Sequence, residues 1–271
     1  MAVIDLQIDG HVATLTLSNP QRRNAMGPDF FEELPARIAD VDAASDVRVA
    51  VLRAEGPTFS AGLDLMSMIP HMPVGLQPEP PDGAKRAALH RLIEKLQASI
   101  SSVERCRVPV IAAVHGACVG GGVDLVTACD LCVASSDAYF SVRETKVGIV
   151  ADIGTLQRLP RIVGSARARH WVYSACDVPA AEAAAAGLVV QVFDDVESLA
   201  AGARTHADDN AARAPLGVLG SMGVLVVLDR HDIARSLAYV AAWNSAHLIN
   251  QDLGRALQAF MTKTEPSFEG N

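Results

Sequence analysis

The sequence predicts an α/β fold: a core of alternating strands and helices over residues 1–195, followed by an all-helical region over 196–271. Three observations carry this expectation. Short apolar runs suited to buried parallel strands recur between amphipathic stretches as far as Phe193, and Val108–Val114 is the clearest of them. Beyond that point strand signals stop and only helical spacing continues. A length of 271 residues, 50% hydrophobic and 20% charged, suffices for one sizeable core and excludes a disordered or collagen-like chain.

The elements follow in order. Val3–Ile8 and Val12–Leu17 are β-prone runs separated by Asp9-Gly10, a hairpin signal. Asn19–Gly27 reads as a polar loop. Pro28 suits a first helical turn, and Phe30, Phe31, Leu34, Ile38 and Val41 recur at helical spacing, with Pro35 set against a straight helix. Val47, Val49 and Val51 alternate as a strand. Ile69–Gly83 carries five prolines in fifteen residues and reads as a loop or lid. Ala84–Arg105 shows the apolar stripe of a long amphipathic helix. After Val108–Val114 come a glycine-rich turn and a helix, strands at Leu131–Ala134 and Ala138–Val142, and a helix to Tyr173 capped by Ser165. A short helix, Pro179–Ala186, is stopped by Gly187, and Leu188–Phe193 is the last strand. The helical region divides into Ser198–Arg213, Pro215–Asp229, Asp232–Ile249 and Gln251–Met261. Leu225, Val226, Leu237, Val240 and Trp243 are its candidates for core or subunit contacts. No internal repeat is visible in the residues.

Composition narrows the function classes. With 23 Lys+Arg against 31 Asp+Glu the net charge is −8, which argues against nucleic acid or an anionic membrane as partner. Five cysteines, an odd and sparse count, read as reduced thiols, and Cys129-x-x-Cys132 lacks the second pair a zinc site needs. Eight histidines show no HExxH spacing, so no metal is expected. The start has neither a basic region nor a long apolar stretch, and the end is no recognised anchor or address, so the expectation is a cytoplasmic protein. GxSxG, GxxxxGK[ST] and GxGxxG are all absent.

Chemistry is concentrated in three stretches: SAGLDLMSM (Ser60–Met68), HGACVGGGVDLVTACD (His115–Asp130) and SVRETKVGIVADIGTLQRLPRIVG (Ser141–Gly164). In the second, a buried strand feeds a glycine turn and a helix start, where free N–H groups face whatever occupies the turn. A phosphate or an oxygen that becomes negative during reaction would suit it. Asp124, Glu144 and Asp152 each admit a plain reading, as a helix cap, a surface carboxylate and an N-cap. Their joint position after strands or at helix starts is the edge where α/β folds bind ligands. Asp64 and Asp130 read as holders of loop and helix ends, and His115 as a hydrogen-bonded wall residue.

On these residues the chain resembles the crotonase (enoyl-CoA hydratase/isomerase) superfamily, from the Asn19–Met26 loop to the C-terminal helices. GACVGGGVDL…ACD followed by SVRETKVGIVADIGTLQRLP is similar above all to its delta-3,5-delta-2,4-dienoyl-CoA isomerase branch. The resemblance implies a spiral core of (ββα) repeats, a helical C-terminal trimerisation part, and a homotrimer or hexamer (dimer of trimers). It implies an acyl-CoA thioester as substrate, with no separate cofactor because coenzyme A is part of that substrate. The thioester carbonyl would lie between the N–H groups of Leu63 and Gly121. Arg22, Arg23, Asn24, Ala25 and Ala61, with Lys263, would meet the CoA moiety. Asp152 would take the C2 proton, Glu144 deliver one at C6, and Asp124 orient or polarise the pair, shifting a 3,5-dienoyl-CoA to the 2,4-isomer within fatty acid β-oxidation. Two alternatives stand beside this. One is an enoyl-CoA hydratase using Asp124 and Glu144, with Asp152 a cap, and the other is a silent acyl-CoA-binding protein.

Overall fold

The two apolar runs flanking Asp9-Gly10 fold back on each other: β1 (Ile4–Asp9) pairs antiparallel with β2 (Val12–Leu17), and Gly10 turns the chain at φ +58°. The coordinates are a computed structural model that describes residues 2–73, 82–249 and 251–264, with backbone alone at 226–232 and 247. A 3-10 turn at Pro20–Arg22 leads to α1 (Pro28–Ala43), which runs unbroken through Pro35 and buries Phe30, Phe31, Leu34, Ile38 and Val41. Next come β3 (Val49–Ala54), the single turn α2 (Leu65–Met68) with a 3-10 turn at Ile69–His71, and α3 (Gly83–Glu104), capped by Asp82. Of the proline-rich stretch expected to be a loop or lid, residues 74–81 lie outside the described residues.

The chain continues through β4 (Val110–Val114), β5 (Ala117–Val119), α4 (Gly121–Thr127), β6 (Leu131–Ser135) and β7 (Tyr139–Ser141). A 3-10 turn at Glu144–Val147 precedes α5 (Thr155–Val163), α6 (Ser165–Ser174), β8 (Val178–Pro179), α7 (Ala180–Ala186) and β9 (Gln191–Phe193). Helices α8 (Val196–Ala211), α9 (Pro215–His247) and α10 (Gln251–Thr262) complete it. One sheet has the order β1-β2-β3-β4-β6-β9, parallel from β2 onward, and a smaller sheet has the order β5-β7-β8.

From β4 to β7 successive strands alternate between the two sheets. β4-β5-α4 and β6-β7-α5 are two such units, and after β3 an isolated bridge from Ser60 to Cys118 stands where a second strand would be. This is the α/β crotonase-like architecture of ββα repeats, although the residues show no repeat. Spacing sets both faces of the large sheet. Val49, Val51, Ile111, Ala113 and Val133 face one way, against Leu199, Ala203, Ala207 and Ala211 of α8. Those helical positions are four apart, and three alanines let the helix lie close on the strands. Ala50, Leu52, Val110, Ala112, Val114 and Ala134 face the main core with α1 and α3.

Three local expectations change. The two helices expected at Pro215–Asp229 and Asp232–Ile249 are one helix of 33 residues. Ser165 does not cap α6: it is the helix's first residue, Gly164 takes the cap position, and no side chain bonds there. β5, only three residues long, has no counterpart among the expected strands. Among the subunit-contact candidates, Leu237 and Val240 are buried, Leu225 and Trp243 are exposed, and the Val226 side chain lies outside the described residues.

Candidate active site

Two segments distant in sequence meet edge to edge. The Met26 N–H donates to Gly62 O (2.8 Å), the Asp64 N–H donates to Met26 O (3.0 Å), and the Ala61 N–H donates to Arg23 O (3.0 Å). Asn24, buried, ties the first segment down by donating through Nδ2 to Glu55 O (2.9 Å) and Thr58 O (2.7 Å). This pairing uses the Gly62 carbonyl and the Asp64 N–H on either side of Leu63 and leaves the Leu63 N–H out. Among the described residues neither the Leu63 N–H nor the Gly121 N–H, the first of α4, donates to any acceptor.

Glycine is required for the two amides to approach. Gly62 has φ +85°, and a Cβ there would lie 2.7 Å from Val119 O and 3.4 Å from Gly121 N. A Cβ at Gly121 would lie 2.9 Å from Met26 Sδ and 3.7 Å from Leu63 N. Both free donors therefore line one small space, the geometry that stabilises an oxygen gaining charge.

The three carboxylates surround the same turn. Asp124, on the first turn of α4, is fully buried and is not that helix's cap, a position Gly120 takes. Its Oδ1 instead accepts the Thr155 N–H at the start of α5 (2.5 Å), and its Oδ2 is buried without a partner. Glu144 opens the 3-10 turn after β7. Its Oε1 lies 3.4 Å from where a Gly120 Cβ would be, and its Oε2 is buried and unpartnered. Asp152 does not cap α5 either, since Gly154 does; its Oδ2 accepts Asn244 Nδ2 (2.6 Å) from α9. The neighbouring Ile153 side chain reaches 3.8 Å from a Gly121 Cβ.

Burial governs the electrostatics, because a carboxylate removed from water resists ionising. It pushes Asp124 up to about 6, opposed by the Thr155 hydrogen bond and the charge of Arg158. Asp152 is pushed up to about 7 by burial and by Asp124, with the Asn244 hydrogen bond acting against them. Glu144 rises furthest, to about 8, through burial and then the charges of Asp124 and Asp152. Near neutral pH the group thus holds one carboxylate mostly ionised, one mostly protonated and one between. Arg158, 3% exposed, donates to Ser101 Oγ (3.0 Å) and pairs with Glu104 (3.0 Å).

The remaining site expectations divide. Arg22 pairs with Asp64 (2.9 Å), which also accepts the Ser67 N–H as cap of α2, and Arg22, Arg23 and Ala61 are exposed around the paired segments. Ala25 is half-buried between them. Lys263, exposed beyond α10, has no contact that places it with this group. Asp130 accepts the Val110 N–H (2.8 Å), and His115 bonds Gly56 O through Nε2 (2.7 Å). Cys129 and Cys132 are free thiols that burial pushes well above the usual range. Among the described residues no cluster of three or more His, Cys, Asp or Glu could hold a metal, and no helix is long and apolar enough to cross a membrane. A cavity of about 790 Å³ near α4 and α9 is lined by Arg158, Val126, Leu188, Val218 and Ile233, but by none of the three carboxylates.

Sequence reasoning missed Asn244, Gln97, Thr155 and Arg158. Asn244 had a signal: it sits at helical spacing from Leu237, Val240 and Ala241, a polar residue on an apolar stripe. Gln97 had the same signal between Ile93, Leu96 and Ile100.

An open pair of amide donors beneath clustered acids, on a core of ββα repeats, defines a class that handles activated carbonyl compounds. Residues 7–271 match the family Enoyl-CoA hydratase/isomerase, and the chain belongs to it. It is 41% identical over 270 residues to the peroxisomal Delta(3,5)-Delta(2,4)-dienoyl-CoA isomerase of Arabidopsis thaliana, covering 99% of this chain and 96% of that one. It is 40% identical over 251 residues to the mitochondrial enzyme of the same name from Homo sapiens, covering 92% and 76%. A crystal structure of an enoyl-CoA hydratase/isomerase from Xanthobacter autotrophicus Py2 superposes with a TM-score of 0.84 at 28% identity, covering 96% of this chain and 93% of that one. The expectation of a cytoplasmic protein is corrected by these relatives, whose names place them in peroxisomes or mitochondria.

Proposed function

We propose that this protein isomerises conjugated double bonds in an acyl-CoA thioester, taking a 3,5-dienoyl-CoA to the 2,4-isomer in fatty acid β-oxidation. One observation carries the reading. Asp152, in a chain 41% identical to an enzyme named for that reaction, is engaged by Asn244 beside Asp124 and Glu144 and does not cap α5.

The thioester oxygen accepts from the Leu63 and Gly121 N–H groups. Asp152 removes a proton from C2, and the electron pair of that C–H bond spreads over the carbonyl and C4 to C6. Glu144 donates a proton at C6, leaving double bonds at C2–C3 and C4–C5. One acid gains the proton the other loses, and solvent exchange resets both. Two separate acids are needed because C2 and C6 are four bonds apart. Asp124, held by the Thr155 N–H, keeps negative charge beside Glu144 and so keeps Glu144 protonated. Arg22, Arg23, Asn24, Ala25 and Ala61 form the CoA side of the site. Exposed Leu216, Val224 and Leu225 on α9, with Phe260 and Met261 on α10, support a homotrimer or a dimer of trimers.

Offering the purified enzyme a 3,5-dienoyl-CoA and a 2-enoyl-CoA tests the reading. Formation of the 2,4-dienoyl chromophore is the expected result, and hydration of the 2-enoyl-CoA far outpacing it overturns the proposal. Solvent deuterium at C2 separates an enzyme from a silent binder, which would incorporate none.

The pH profile follows from the same assignments. Asp152 accepts a proton only when ionised, so the rate falls as pH drops below about 7. Glu144 donates only when protonated, so it falls again as pH rises above about 8. A narrow bell between those limbs is expected in kcat/KM for the dienoyl-CoA.

A further inference from the structure

The loop that carries Asp152 is clamped by two side-chain amides from helices remote in sequence. Gln97 of α3 donates both Nε2 hydrogens, to Asp152 O (2.7 Å) and Leu237 O (3.0 Å). Asn244 of α9 donates both of its Nδ2 hydrogens, to Val150 O (2.9 Å) and Asp152 Oδ2 (2.6 Å). Both residues are buried, Asn244 to 1% exposure. A buried amide is costly unless bonded, so each is fixed in one orientation by the bonds it makes. Gln97 holds only main chain, whereas Asn244 reaches the reacting group.

We infer that Asn244 is a positioning residue of the reaction: it holds Asp152 by Oδ2, turns Oδ1 toward the C2 proton, and favours the carboxylate as the base. The inference rests on the reading of Asp152 given above. Among the described residues Asn244 is the one side chain that donates to this carboxylate, and it does so at Oδ2, which leaves Oδ1 without a side-chain donor and able to react. The charged groups acting on Asp152 are Asp124 of α4 and Glu144 of the 3-10 turn, both carboxylates, while α3 and α9 present neutral amides. Asn244 is therefore the side chain that offsets burial and like charge, by donating to the ionised form.

The test compares Asn244→Leu, close to the original in size, and Asn244→Ala with Gln97→Met and Asp152→Asn. Without the donor the ionised form of Asp152 is disfavoured. The acidic limb of kcat/KM should move up by about one pH unit, a tenfold loss at pH 6, with KM within about twofold. Gln97→Met should leave the limb in place while lowering thermal stability, because it loosens the loop without touching the carboxylate. An acidic limb unmoved in both Asn244 variants overturns the inference, as does a limb that moves equally in Gln97→Met. The parallel variant keeps the two failures apart. Full isomerase activity in Asp152→Asn would mean that Asp152 is not the base, whereas an inactive Asp152→Asn with unmoved limbs in the Asn244 variants sinks the role of Asn244 alone.

Discussion

Asp152→Asn should lower C2 proton exchange and isomerisation by about 10²- to 10⁴-fold, the usual contribution of a positioned general base, while sparing acyl-CoA binding. The substitution keeps shape and removes one property, the capacity to take a proton. The carbonyl oxygen of the introduced amide can still accept from Asn244 Nδ2, which at 2.6 Å is the contact holding the side chain. The fold should not suffer and should gain. A carboxylate whose pKa is raised in the folded state loses stability as pH climbs through that value, and a neutral amide does not. Melting temperature at pH 8 should therefore equal or exceed that of the parent. A second consequence is electrostatic: Asp152 is one of two charges that raise Glu144, so the Glu144 pKa should fall in the variant. Exchange measured by mass spectrometry in deuterated buffer decides the matter, and an unchanged rate assigns the base elsewhere.

How much of this is legible in the residues depends on the distance over which each group acts. Strand faces are readable because alternation is local: Val49 and Val51 point to α8, Ala50 and Leu52 to the main core. The glycine turn before α4 is readable for the same reason. Position alone favours Asp124 as a cap of its own helix, yet its partner is the Thr155 N–H 31 residues away. Asn244 lies 92 residues from Asp152, and no short-range pattern joins them. The polar stretch Asp229–Asp232 suggests a break, but α9 runs through it. Polar residues alone do not end a helix, and residues 229–232 include neither a proline nor a glycine to break it. Of the second sheet, β7 falls within the strand expected at Ala138–Val142, whereas β5 with three residues and β8 with two are too short for a periodic signal.

Gly62→Ala should cost about 10²- to 10³-fold in kcat, the effect of losing one oxyanion donor. The methyl would sit 2.7 Å from Val119 O, which is backbone and cannot swing aside, at a φ of +85° that alanine resists. The strain has one outlet. Gly62 O and the Leu63 N–H share one peptide plane, so moving residue 62 away from Val119 O swings that plane about the Met26 hydrogen bond and carries the Leu63 N–H away from the Gly121 N–H. The carboxylates are attached to other elements, α4, the 3-10 turn after β7 and the loop before α5, and keep their places. The signature should thus be the reverse of the Asn244 variants: limbs of the pH profile unmoved, maximal rate collapsed. Binding of a CoA ester should weaken only slightly, because the donor matters most when the oxygen carries charge. A Gly62→Ala enzyme with near-normal kcat would place the oxyanion elsewhere and leave the pairing of residues 26 and 63 a structural feature only.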